Sequence, residues 1–402
     1  MPEITVKMFP AKNGDCFLVS LGEANKKHIL IDCGYVETYN VYLKDELNEI
    51  TDNNEVIDLM IISHVDQDHI LGAIKLLQEN NSKPFIKINE IWHNSYRHLQ
   101  FNKEKIKTIS VTEKEILNHE IRIGSSFIDN HINNNDEEDI SAKQGSSLAS
   151  LILEGQYSWN KSFDGRAVNI DNKNIIKNEN YTIRLLSPNT EKLNNLSDKW
   201  LRELNDMKLG FSLSNESKFD DAFEFYMIRQ NETKIEETDI STTDENNKSI
   251  ENIISEDKEG KIDNSPMNGS SISVIIEYNG NKLLFLADAH PDIILDSILQ
   301  LKNNQFDLIK VSHHGSAKNT TNELAQNLNS NLFLISTDGS GIYTHPDFAA
   351  MAKIIYHQKA PKKMFFNYET SVAKKLDNKE WIKMYNYSIH ISDGSKPTII
   401  KL

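Results

Sequence analysis

Hydrophobic and polar positions alternate from the start of the chain: Ile4-Thr5-Val6-Lys7-Met8-Phe9 puts every second side chain on one face, the period of a half-buried strand. Short apolar runs follow at Cys16 to Leu21, His28 to Ile31 and Val56 to Ile62, and a helical pattern runs from Ile70 to Gln78. The last third resumes this style. Ile272 to Tyr278 and Lys282 to Leu286 flank Asn279-Gly280, a dipeptide that tolerates positive φ and so predicts a type I′ hairpin. Helices are predicted over Pro291 to Leu301 and Ala349 to His357, with strands over Leu308 to Val311, Asn331 to Ser336 and Lys363 to Phe366. Tyr387 to Ile391 and Thr398 to Lys401 read as a closing pair of strands around Asp393-Gly394. Elements in this order predict two sheets with helices packed outside them, an α/β fold of layered αββα type.

The middle of the chain breaks the pattern. Between about residues 95 and 265, helical stretches at Glu113 to Glu120 and Glu191 to Asn205 are separated by polar segments such as Asn130 to Asp139. Two strand-like pieces, Ser147 to Glu154 and Tyr181 to Leu186, are candidates for the core sheets. The chain is therefore expected to divide into a core, residues 1–95 and 265–402, and a mixed, partly disordered insertion, residues 96–264, that ends in an acidic mobile loop at 231–264. From Asn231 to Asp263 eleven acidic residues stand against four lysines, with too little apolar surface to order the segment by burial. A solvated loop is favoured there over a partner-binding tail.

A chain of 402 residues suffices for two average domains or one elaborated domain. The formal charge of −15, nearly half of it in that one segment, argues against a surface that grips nucleic acid by counterion release. No run approaches the ~18 apolar residues of a membrane helix, and the N-terminus enters a strand pattern without a signal peptide, so a soluble, cytoplasmic protein is expected. Cys16 and Cys33, the only cysteines, form no metal-binding spacing and are expected to be reduced and buried.

The candidate chemistry begins where the run Val56 to Ile62 ends. Ser63-His64-Val65-Asp66-Gln67-Asp68-His69 places four metal-binding side chains, His64, Asp66, Asp68 and His69, within six residues at a strand end, where a turn gathers neighbours around one point. Imidazoles suit zinc and carboxylates suit manganese or magnesium, so the pattern leaves the metal open, and two acidic ligands suggest more than one ion. Helix capping by Asp66 and Asp68 is the plainer explanation, but it needs one Asp and explains neither His. Three further clusters stand at strand ends: Asp288 after Leu283 to Ala287, His313-His314-Gly315-Ser316 after Asp307 to Ser312, and His345-Pro346 after a Gly-rich turn. Each alone is weak. A carboxylate buried like Asp288 would cost several kcal/mol without a cation.

The pattern His64-x-Asp66-x-Asp68-His69 resembles the signature of the metallo-β-lactamase fold, in the variant where Asp replaces the second His. Further motifs resemble the hydrolase domain of ComEC, the DNA-uptake channel protein of competent bacteria: Asn13-Gly14-Asp15-Cys16, Ile31-Asp32-Cys33-Gly34, Asn268 to Ser273, Ala287-Asp288-Ala289, Val311 to Ser316 and Tyr343-Thr344-His345-Pro346. These cover about residues 1–90 and 265–400. The resemblance implies a four-layer αββα metallo-β-lactamase fold, with His64 and Asp66 on one divalent ion, Asp68 and His69 on another, Asp288 between them and His345 as the last ligand. His313 and His314 would each be a ligand or a proton donor, which makes Asp68, His313 and His314 the candidate catalytic residues. Asp32 would orient a ligand from outside, and Gly14-Asp15 and Gly34 would be turn structure. Many members supply another His shortly before the bridging Asp, where this chain has Asn268, Ser270 and Ser271; His131 is the nearest spare and is not favoured.

The resemblance implies a hydrolase in which two divalent ions, zinc or manganese, activate water. Two ions bring four positive charges against three from Asp66, Asp68 and Asp288 and one from hydroxide, a balance that suits an anionic ester. The leading expectation is a phosphodiesterase or nuclease acting on DNA, with substrate presented by a protein partner because the surface is acidic, and with no membrane involved. The alternatives are hydrolysis of a small phosphoester or nucleotide signal, and a partner-dependent component of a bacterial defence system whose metal site is structural.

Overall fold

The alternation at the N-terminus becomes β1 (Ile4–Met8), which buries Ile4, Val6 and Met8 and leaves Thr5 and Lys7 half covered. The structure is a computed structural model that describes residues 4–100, 110–132, 146–206, 216–230, 249–257, 262–340, 344–358 and 360–402. Along the chain, β2 (Phe17–Leu21), β3 (Lys27–Ile31), β4 (Ile57–Ile61) and β5 (Ile91–Trp92) are followed by β6 (Ile175–Lys177) and β7 (Thr182–Ser187). Next come β8 (Ser273–Tyr278), β9 (Asn281–Phe285), β10 (Gln305–Phe306), β11 (Leu308–Lys310), β12 (Asn329–Ser330) and β13 (Leu332–Ile335). The last three are β14 (Lys362–Phe366), β15 (Tyr387–Ile391) and β16 (Thr398–Lys401).

The first sheet has the order β16-β1-β2-β3-β4-β5, antiparallel up to β3 and parallel beyond it. The second has the order β15-β14-β13-β11-β9-β8-β7-β6, parallel from β15 to β9 and antiparallel from there to β6. Asn279 and Gly280 have φ of 47° and 86° between β8 and β9, the positive pair that the sequence predicts for this turn.

Strand side chains sort by parity. Val6, Phe17, Val19, Ile29 and Ile61 of the first sheet meet Ile183, Val274, Ile276, Leu283 and Phe285 of the second, and the Phe17 and Phe285 rings pack edge-on at 5.6 Å. Their neighbours Leu18, Leu30 and Met60 face outward onto the helix Gln67–Ser82. Ile275, Leu284, Ile309 and Phe333 face outward onto the helices Pro291–Leu299 and Phe348–His357. The four layers are therefore the expected αββα arrangement. Helices Val111–Ile132, Thr190–Asp206 and Ser217–Gln230 enlarge the outer layer on the first sheet, around Trp200 and Phe223.

Three expectations need correction. Ser147 to Glu154 reads as a strand but forms the helix Leu148–Glu154: Ser147 caps it by accepting from Ser150 N, and Leu148, Leu151 and Ile152 share one buried face at helical spacing. Tyr387 to Ile391 and Thr398 to Lys401 are not a pair, because β15 runs beside β14 while β16 crosses to the free edge of β1. Asp393-Gly394 lies on the link between layers. Within the stretch 231–264, read as a mobile loop, Ser249 caps the helix Ile250–Glu256, whose Ile250 and Ile253 enter the core beside Phe348–His357. Asp257 pairs with Lys353 at 2.6 Å, and the Asp263 side chain is only 9% exposed. Residues 231–248 and 258–261 lie outside the described residues. Among the described residues, no helix is long and apolar enough to cross a membrane, and Cys16 and Cys33 are buried and free.

Candidate metal centre

Neighbouring strands of both sheets deliver their side chains to one rim. Asp32 follows β3, Ser63 to His69 follow β4, Asp288 follows β9, and His313 and His314 follow β11. The turn out of several strands is sharp: Asp32, Ala287, His313 and His314 all have left-handed backbones, with φ of 54°, 47°, 45° and 54°. Such conformations cost a non-glycine residue on the order of 1 kcal/mol or more, and their clustering at one rim marks it as a functional region. Gly14 lets the β1–β2 turn approach the ligand loop, since a Cβ there would stand 2.1 Å from the Asp68 carbonyl oxygen.

Four histidines are held alike. Nδ1 of His69 is 2.8 Å from Asp32 Oδ2, and Nδ1 of His314 is 2.9 Å from the Ser336 carbonyl. Nδ1 of His313 is 2.9 Å from Asn319 Oδ1. Ser63 Oγ donates to Asp32 Oδ2 at 2.7 Å and so accepts from His64 Nδ1 at 3.0 Å. An acceptor at every Nδ1 puts a proton there and leaves Nε2 to carry a ligand lone pair, the support that metal-bound imidazoles need.

The Nε2 atoms converge. His69, His313 and His314 each place Nε2 3.6 Å from Asp288 Oδ2, and His314 Nε2 is 3.4 Å from Asp68 Oδ2. The His64 and His69 rings are 4.4 Å apart. These separations exceed hydrogen-bonding distance. Nε2 of His64, His69 and His314 and Oδ1 of Asp288 are buried without a hydrogen-bond partner among the described residues, an arrangement that costs about 1–3 kcal/mol per atom unless a cation lies between them. Two overlapping sets, His64, His69 and Asp288 and then Asp68, His69 and His314, hold their ligand atoms within 4.8 Å of one another. The residues fit divalent metal.

Protonation follows from this crowding. Burial and the neighbouring His69 push His64 down to about 3. Burial, then the Asp68 carboxylate, pushes Asp66 up to about 7. Burial also works against charge on Asp68 and Asp288, but the surrounding imidazoles hold both below the usual carboxylate range, Asp288 well below it. For His69 and His314 burial is outweighed by carboxylates, Asp68 and Asp288 foremost for His69 and Asp288 and Asp15 for His314, so His69 lies well above an ordinary imidazole and His314 rises to about 10. Burial raises Asp32. Without a cation, protons on these rings compensate the carboxylates.

His64, Asp68, His69, Asp288 and His314 thus come together. Asp66 satisfies both of its readings: Oδ1 accepts from Gln67 N at 2.7 Å and caps the helix, while Oδ2 is 4.0 Å from His64 Nε2. His345 lies at the rim, its ring 5.0 Å from that of His313 and its Nδ1 3.5 Å from Asp347 Oδ2, and belongs to neither set. Asp32 takes the orienting position. His131 is exposed on the helix Val111–Ile132, with Nδ1 on the Phe127 carbonyl.

Sequence reasoning missed a second ring of residues. Asp15, expected to be turn structure, is instead buried in an ion pair with Lys310 and lies 3.4 Å from His314 Nδ1. Lys310 Nζ also donates to the Ala287 carbonyl at 3.3 Å and is 3.9 Å from Asp288 Oδ1. One clue was legible: a lysine between Ile309 and Val311 interrupts a buried strand. A third acidic set, Asp15, Asp32 and His69, is already bonded within itself and to Lys310, so it supports the centre from outside.

Residues 10–146 match the family model of the Metallo-beta-lactamase superfamily. That span is similar to the metallo-β-lactamase superfamily. The matched span carries Asp15, Asp32 and the His64 to His69 run, and the layers around it are consistent with the metallo-β-lactamase fold plus insertions. The superfamily consists largely of hydrolytic metalloenzymes and typically binds divalent metals, which suggests a metal-dependent hydrolase here. No curated protein matches the chain.

Proposed function

We propose that the protein is a metal-dependent phosphodiesterase of ComEC type, with DNA as its leading substrate. The observation that carries this reading is the convergence of imidazole Nε2 atoms on Asp288 and Asp68 with every Nδ1 held from behind. His64, Asp66, Asp68, His69, Asp288 and His314 would hold two divalent ions, zinc or manganese, with His313 Nε2 as a further ligand or acceptor. Bound there, such ions supply Lewis acidity toward a phosphoryl oxygen and lower the pKa of water. The chain's own residues supply the rest. Asp32 and Ser63 fix the rings of His69 and His64, Lys310 neutralises Asp15, and burial of the ligands excludes bulk water. His313, one-fifth exposed, stands at the mouth with His345, where a substrate enters. Because Lys310 and Asp15 cancel, the charge balance rests on Asp66, Asp68 and Asp288 and favours an anionic ester.

The formal charge of −15 supports a second reading, a small phosphoester or nucleotide signal, over unaided gripping of DNA. DNA would then need presentation by a protein partner, as in a bacterial defence system working in the cytoplasm. The test is hydrolysis of linear and circular DNA and of bis(p-nitrophenyl) phosphate with manganese or zinc, with Asp68→Ala as control. Cleavage of DNA that Asp68→Ala loses by about 10²-fold or more supports the nuclease reading. Turnover of the small ester alone moves the assignment to small phosphoesters. Metal binding without turnover of either leaves a structural metal site and contradicts the enzyme reading.

A further inference from the structure

Asp263 lies where the acidic stretch rejoins the core, and its carboxylate is buried under the mouth of the centre. Oδ2 accepts from Asn268 Nδ2 at 2.7 Å and from Asn319 Nδ2 at 2.9 Å, and Oδ1 accepts from Ser265 N at 2.9 Å. Asn319 Nδ2 also faces the carbonyls of Asp288 and Ala289 at 3.2 and 3.3 Å. Three acceptors around that nitrogen fix which way the amide is turned. Asn319 Oδ1 is thereby committed to accept, and His313 Nδ1, 2.9 Å away, must donate. Asn268 Nδ2 lies 3.4 Å from the same Nδ1, a weaker contact that is forgone when Nδ1 carries the hydrogen.

We infer that Asp263, acting through Asn319, is a positioning residue that locks His313 with its proton on Nδ1 and its Nε2 lone pair aimed at Asp288 and the metal. With Nδ1 committed as the donor to Asn319 Oδ1, His313 offers Nε2 to the centre as a ligand or acceptor. The carboxylate does this at second hand, since its own Oδ2 is 3.7 Å from His313 Nδ1. On the other side, His290 Nε2 is 3.8 Å from Asp263 Oδ1 and donates to the Ser265 carbonyl at 2.9 Å, which anchors the turn that carries the carboxylate. A carboxylate in this place accepts from both amides on Oδ2 and from Ser265 N on Oδ1, whereas an amide would have to turn its own donor either toward Ser265 N or toward the two side-chain amides.

This inference rests on the metal reading above, and two measurements separate their failures. Long-range ¹H–¹⁵N correlation of the histidine rings reads the His313 tautomer without metal, assigned by its absence in His313→Gln. Titration with manganese or zinc alone against a competing chelator reads affinity. Wild type is expected to show Nδ1–H at His313 where the ring is neutral, and Asp263→Asn and Asn319→Leu to shift it toward Nε2–H and weaken metal binding by about 10–100-fold. In the His313→Gln background, Asp263→Asn should weaken metal binding no further, whereas a merely structural residue would lower it again. An unchanged tautomer and affinity in Asp263→Asn would overturn the inference, as would a full additive loss in the double variant. Should Asp263→Asn not fold, Asn319→Leu carries both measurements. Wild-type protein that binds no divalent ion would contradict the metal reading, while the tautomer would still decide the role of Asp263.

Discussion

His69 is bonded at Nδ1 to Asp32 and faces Asp68 and Asp288 from Nε2, so three carboxylates keep it charged when no cation is present. His314 behaves alike, raised to about 10. A raised imidazole is protonated at neutral pH, so a metal ion must displace that proton, and lowering the pH strengthens the competitor. Apparent affinity for manganese or zinc is therefore expected to fall as pH drops from 8 to 6, by about tenfold per pH unit for each proton displaced. Calorimetry in buffers of different ionisation enthalpy would show proton release; pH-independent binding would contradict this account. Asp32→Asn keeps the shape but loses the carboxylate, and metal affinity should drop about 10–100-fold in a chelator competition. The ligands were legible because His and Asp at strand ends are unusual residues in unusual places. Asn319 and Asp263 were not, since a buried amide gains its role from a partner 56 positions away in sequence.

Elements carry the next level. Gly14 has no side chain because the Asp68 loop occupies the space, with the nearest oxygen 2.1 Å from where a Cβ would stand. Gly14→Ala should push that loop, lowering the midpoint of thermal unfolding and costing about 1–3 kcal/mol together with metal binding; an unchanged melting curve would sink this reading. In the helix Ile250–Glu256, Ile250 is fully buried. Ile250→Ala should destabilise by about 2–5 kcal/mol in urea unfolding, and a silent substitution would return the segment to a peripheral loop. Composition hid this helix: a net-acidic stretch rich in Asn and Ser reads as disordered, and two isoleucines that pack on a distant helix do not change that sum. Strand-end positions and the Asn279-Gly280 turn were readable because they depend on local periodicity. Leu148–Glu154 differs from its expected strand because an apolar run of that length fits either a strand or a helix, and the Ser147 cap decides it.

At the scale of the molecule, the four layers follow from strands that are apolar on both faces, which demand a sheet on one side and helices on the other. That much was visible in the order of runs along the chain. The crossing of β16 to β1 was not, because pairing across layers is settled by which edge is free and not by proximity in sequence. The global charge sets the setting of the chemistry: a centre suited to anions lies in an acidic protein, so substrate reaches it by local attraction or by presentation, and activity on DNA should depend steeply on salt only if a basic partner supplies the grip. The central claim is that the converged imidazoles and carboxylates hold catalytic divalent metal. Its most direct test is elemental analysis of the protein after dialysis against manganese or zinc, wild type beside Asp288→Ala. The account predicts two ions per wild-type chain and a marked loss in the variant, and wild-type protein without bound metal would contradict it.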